Sequence, residues 1–125
     1  MFKTLIRYLS PTIRLDYNNR TLGGRTEEDT PYDVSAELVM EDIEYLIDEY
    51  IDEKTNTIPK ILIDFVHVRH SPSSNFLDEL AKRLANTMLD VKVNSLLFKD
   101  INIFFKHKSL KEEFLMYYKK YKNLK

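Results

Sequence analysis

The residues of this 125-residue chain that could do chemistry crowd into one stretch, Lys60 to Leu84, reading KILIDFVHVRHSPSSNFLDELAKRL. It holds Asp64, His67, Arg69, His70 and three serines, Ser71, Ser73 and Ser74. A metal centre would need more ligands than His67 and His70. Residues three apart on an extended strand face opposite sides, and His107 is remote in sequence, so no metal and no cofactor is expected. Asp64 closes an apolar run, where a carboxylate accepts backbone N–H bonds. A general acid or base there would need a second catalytic group, and none is evident. Arg69, like Arg25 earlier in the chain, suits either an anion or carboxylate, or plain solvation.

The serines are the more informative group. Ile61, Leu62 and Ile63 precede them as a buried strand. Phe76, Leu77, Leu80, Ala81 and Leu84 follow at helical spacing, with Asp78, Glu79, Lys82 and Arg83 between. The hydroxyls therefore stand at the mouth of a helix N-terminus, where free N–H groups and the helix dipole favour negative charge. Any of the three can cap the helix, and Asn75 with Asp78 three residues on is an alternative cap. The same position is one where a phosphate could be added and read by a partner.

The flanking elements follow from periodicity and punctuation. Phe2 to Tyr8 reads as a strand, and Thr12 to Tyr17 as a half-exposed strand with Ile13, Leu15 and Tyr17 on one side. Asn18 to Gly24 is a loop holding both glycines of the chain, which implies positive φ or a close backbone approach. Thr30-Pro31-Tyr32-Asp33 reads as a helix start. That helix carries Val39, Ile43, Leu46, Ile47 and Tyr50 as its stripe, and Lys54 to Thr57 ends it. The strand from Lys60 is apolar enough to lie centrally in a sheet. Val91 to Phe98 and Ile101 to Phe105 are one further strand or a hairpin of two. Ser109-Leu110-Lys111-Glu112 reads as a capping box for a last helix bearing Leu110, Phe114, Leu115, Tyr117 and Tyr118. The order is β-β-α-β-α-β-α, an α/β chain with at least some parallel pairing. The length fits one domain spanning residues 1–125.

The segment from Asp64 onward resembles the STAS fold of anti-sigma-factor antagonists, and most closely a STAS-like family of unassigned function. Asp64-Phe65-Val66-His67-Val68 is similar to the family's D-F-x-x-V strand end. Ser73, Phe76, Asp78, Glu79 and Leu80 match S-x-x-F-x-D-E-L. Leu22-Gly23-Gly24-Arg25 resembles the N-terminal part more weakly, and the strong match covers about a fifth of the chain. Pro72 stands where antagonists carry aspartate, and Asn75 where they carry glycine. The resemblance implies a mixed sheet with helices packed against it and a non-enzymatic, regulatory protein–protein interaction module. It implies a protein partner such as a histidine-kinase-like ATPase, and Ser73 or Ser74 as phosphoacceptor. The partner would meet Arg69, His70, Ser71, Asn75, Asp78 and Glu79.

Composition is consistent with a folded cytoplasmic protein. Hydrophobic residues make up 43% of the chain, which argues against disorder. There is no cysteine, which excludes disulfides and thiolate chemistry. No stretch approaches the roughly 18 apolar residues of a membrane span. Net charge is −1, but acids dominate from Glu27 to Glu53 and lysines from Lys99 onward. These are two solvated faces or two docking surfaces. The alternative function is a nucleic-acid-binding accessory domain that uses the Lys-rich C-terminal helix with its tyrosines.

Overall fold

Alternate residues of four strands form apolar rows across one face of a parallel sheet. The computed structural model describes residues 12–23, 33–55, 57–94 and 100–124. The sheet contains β1 (Thr12–Asp16), β4 (Lys60–Phe65), β5 (Val91–Val93) and β6 (Ile101–Phe105), in the order β1-β4-β6-β5. Its register aligns Ile13, Ile61, Ile101 and Val91 in one row, and Leu15, Ile63, Ile103 and Val93 in the next. The four central isoleucines are fully buried. β4 is thus an inner strand, as its apolar run requires.

Among the described residues, three helices cover this face: α1 (Ala36–Tyr50), α2 (Ser74–Ala85) and α3 (Lys108–Asn123). The connections β1–α1–β4 and β4–α2–β5 advance in the same direction across the sheet. Right-handed crossovers then place both helices on one side. The core joins Val39 and Ile43 of α1, Phe76, Leu77, Leu80 and Leu84 of α2, and Phe114 of α3 to the isoleucine rows. Ile61, Ile63, Phe65, Phe76, Leu80 and Leu84 are buried together, as the sequence spacing predicts. The other face carries the row Arg14, Leu62, Asn102 and Lys92. Asp64 follows on the same side, and it and Asn102 are almost fully buried. An apolar face and a polar face explain the strict alternation of β1.

Local sequence signals were overruled at three places. Asp33–Val34 is not the opening of a helix but a short strand, β3, paired in parallel with β2 (Thr21–Leu22). Val34 is buried, and its carbonyl accepts from the Gly23 N–H at 3.0 Å, so tertiary pairing outweighs the threonine–proline signal. Ser35 caps α1 instead, its Oγ accepting from the Leu38 N–H at 3.1 Å. Residues 30–32, like the strand expected at 2–8, lie outside the described residues. The second correction is at β5 and β6. Both are strands, but they run parallel and cannot be a hairpin. All pairings among the described strands of this sheet are parallel, where a mixed sheet was expected. Asn94 ends β5 with φ of 50°, and its Oδ1 accepts from the Phe105 N–H at 2.8 Å. Third, α3 begins at Lys108, so Ser109 sits inside its first turn and makes no capping box. The His107 carbonyl already accepts from Leu110 and Lys111, which leaves no room for a start at Ser109.

Candidate functional site

The carboxyl ends of the strands are floored by aromatic rings. Phe65 meets Phe76 edge-on at 5.8 Å between centroids, and also contacts Tyr17 at 5.4 Å and Phe105 at 5.7 Å. Phe114 continues the chain from Phe105 at 5.6 Å. Such tilted pairs are the favoured ring geometry and hold the strand ends in place. The loop between β4 and α2 crosses this floor and separates two depressions.

On the first side stands Ser73. It is the N-cap of α2, and its Oγ accepts from the Phe76 N–H at 3.1 Å. Ser73 is exposed, yet one flank of its hydroxyl is closed by Gly23. Gly23 has φ of 111°, and a Cβ placed there would come within 2.8 Å of Ser73 Oγ. Positive φ and close approach both demand glycine at this one position. Beside them lies a depression of about 170 Å³ bordered by Gly23, Ser35, Asn75, Phe76, Glu79 and Arg83. The first turns of α1 and α2 both border it, through Ser35 at the cap of α1 and Asn75 and Phe76 of α2. Glu79 pairs with Arg83 one turn on at 3.5 Å.

Ser74 points elsewhere. It is the first residue of α2 and lies beside the Tyr117 hydroxyl of α3. Tyr117 donates to Glu113 at 3.0 Å, and this hydrogen bond raises its pKa above the usual tyrosine value. Asp78 is likewise engaged by α3, accepting from the Tyr121 hydroxyl at 2.5 Å. The Tyr121 pKa rises for that reason first. Of the expected partner-binding residues, Asn75 and Glu79 therefore share a depression beside Ser73, while Asp78 belongs to the α2–α3 seam.

Arg69, His70 and Ser71 line the second depression, with Lys106, His107 and Leu110 opposite them. The loop carrying Arg69 is fastened to the turn after β1. Asn19 N–H donates to the His67 carbonyl at 3.0 Å, and Arg69 N–H to the Arg20 carbonyl at 2.9 Å. Asn19 adopts φ of 63° to make this turn, a conformation asparagine tolerates better than most residues.

Asp64 serves structure, as its place in the sequence suggests. Its Oδ1 accepts from the Val66 N–H at 2.8 Å, and Arg14 binds its Oδ2. Burial alone would raise this carboxyl, but the Arg14 hydrogen bond, the Val66 N–H and the Arg14 charge outweigh it. The pKa is held below the usual carboxylate value. Tyr17 is pushed well above its ordinary range by burial and by its hydrogen bond to Asp42 of α1 at 2.7 Å. Among the described residues, no cluster of three or more His, Asp or Glu side chains is placed to hold a metal ion. None of their helices is long and apolar enough to cross a membrane.

Gly23, Ser35, Arg83, Lys106 and His107 were not read as site residues from the sequence. The signals for Gly23 are the rarity of glycine and the weaker resemblance at Leu22-Gly23-Gly24-Arg25. The others carry ordinary surface residue types and reach the site only through the fold. Arg25 lies outside the described residues. On α3, Lys119, Lys120 and Lys122 are exposed, whereas Tyr117, Tyr118 and Tyr121 are half-buried against the core. Comparison with protein-family models, characterised proteins and solved structures found no match to this chain.

Proposed function

We propose that this chain is a regulatory protein-binding module of STAS-like architecture, switched by phosphorylation of Ser73. One observation carries the reading. Ser73 is an exposed residue at the N-terminus of α2 whose hydroxyl is fixed by its cap to Phe76 N–H and by the glycine wall at Gly23. A phosphate on this oxygen keeps an acceptor near the helix N-terminus, where the dipole favours it. It also adds close to two negative charges beside Asn75 and Glu79, on the surface a partner would cover. The side chain is held before modification, so the added charge has a defined position rather than a mobile one.

Among the described residues, helices packed against one face of a β-sheet agree with an α/β module of this kind, and the STAS resemblance around Asp64 and Ser73 suggests the class of partner, a histidine-kinase-like ATPase. The reading requires no catalytic group of the chain's own. It is tested by measuring affinity for such an ATPase by calorimetry. Ser73→Asp is expected to weaken binding, and Ser73→Ala to retain it while losing about 1 kcal/mol of stability with the cap. If both variants bind alike and differ only in melting temperature, Ser73 is a helix cap and the switch is rejected.

A further inference from the structure

The outer faces of α1 and α3 carry opposite charge in the same pattern. α1 holds six acidic residues and no basic one. Two of them, Asp48 and Glu49, lie in its last turn, where the helix dipole favours cations. Glu37 and Glu41, like Glu44 and Asp48, are equal charges one turn apart, which weaken a helix on its own. Among the described residues, no base forms an ion pair with any acid of α1. The fold of one chain gains nothing from this arrangement. Exposed ion pairs contribute little by themselves, so an interface built here also needs an apolar contact. One is present: Tyr45 is 63% exposed on the same outward face, and Leu38, two turns before it, is 40% exposed. A ring standing in water amid unmatched acids suits a partner that is apolar and basic together.

α3 presents that combination. Met116 is 59% exposed on its outer face, and Lys119 and Lys120 follow at three and four residues, flanking it one turn on. Tyr45 is followed at the same two spacings by Asp48 and Glu49, and all four charged residues are exposed. Placement in the fold matches as well. α2 packs between α1 and α3, so those two form opposite edges of one layer. The first turns of α1 and α2 border one depression, and α3 begins across from the β4–α2 loop, so the three helices start at one end and run the same way. Tyr45 is the tenth residue of α1 and Met116 the ninth of α3, which sets them at nearly one height. A two-fold axis parallel to α2 keeps height and exchanges edges. It sets Tyr45 against the partner's Met116, a favourable ring–thioether contact, with Asp48 and Glu49 beside the partner's Lys119 and Lys120. The contact repeats on the other edge, and two identical contacts close a dimer.

We propose that two copies of this chain associate, α1 of each against α3 of the other. The contact requires no modification of Ser73. The test is analytical ultracentrifugation of the whole chain from about 1 μM to about 0.5 mM, in about 50 mM salt. A monomer–dimer equilibrium is expected, with a dissociation constant on the order of 10–100 μM. It should weaken about fivefold or more in about 500 mM salt, which screens exposed charges. Tyr45→Ala should weaken it about tenfold. Asp48→Lys with Glu49→Lys, and separately Lys119→Glu with Lys120→Glu, should each leave a monomer. An equal mixture of these two variants should restore the dimer, because both edges of the first are then basic and both edges of the second acidic. The α1 variant should melt no lower than wild type, since its new charges suit the helix dipole, and this separates lost association from lost folding. A wild-type chain that stays monomeric throughout overturns the proposal and leaves the two faces to other partners. So does a dimer that both reversals retain, or a mixture of folded variants that remains monomeric. Should a reversal unfold the chain, a dimer indifferent to salt and to Tyr45→Ala overturns it equally.

Discussion

The two depressions flanking the β4–α2 loop share a floor but are built differently. Beside Ser73, the wall is backbone: a positive-φ glycine, two helix caps and the edge of Phe76. Beside Arg69, the wall is long polar side chains, Arg69, His70, Lys106 and His107, on a fastened main chain. Position is over-determined in the first, whereas in the second it is left to side chains. The first therefore suits placing one covalent group accurately. Substitutions that remove the backbone support of the first, at Gly23, should register first as stability.

The largest effect should come from removing what both regions rest on. Leu80 is fully buried beneath α2, within the core that joins all three helices to the sheet. Leu80→Ala should cost about 2–5 kcal/mol in denaturant unfolding and should degrade both sites together. A change near zero would mean that the two regions are supported separately.

Next is Gly23. Gly23→Ala must adopt a strained positive φ and push its Cβ against Ser73 Oγ. The expected cost is about 1–3 kcal/mol, with loss of hydrogen-exchange protection at the Phe76 amide. If the Phe76 amide stays protected, the serine has another way to cap, and the contrast between the regions weakens.

Smallest, and visible chiefly in acid, is the contribution of Asp64, which lies one strand residue before Phe65 under the loop. Its folded pKa is below the unfolded value, which is about 3.9 for aspartate. It therefore adds stability that is fully present above the unfolded pKa and is lost as pH falls through the folded one. Wild-type protein should lose stability from about pH 4 downward more steeply than Asp64→Asn. Parallel acid profiles would show that the Arg14 contact contributes nothing.

Much of this architecture is legible in the chain itself. The alternation of Ile13 and Leu15, the apolar run at Ile61–Ile63 and the stripe Phe76, Leu77, Leu80, Leu84 each report burial at their own period, because side-chain direction repeats every 2 or 3.6 residues. Ser73 as a cap is a short-range property, fixed by an oxygen that reaches an N–H three residues on. The misreadings at Asp33 and Ser109 share one cause. Capping signals there compete with pairing or strand ends set by distant residues. Val34 is held by Gly23, and α3 starts where β6 releases the chain.

What the sequence determined, then, is the set of elements around one core and the place of one serine before a helix. The tertiary structure alone decided that β5 and β6 run parallel and that Gly23 meets Ser73. It also decided that Lys106 and His107 face Arg69 and His70. The physical reason is range. Dihedral preference, caps and periodicity act over a few residues, whereas strand order and register bring together residues dozens of positions apart, and no local pattern encodes which strand lies next to which.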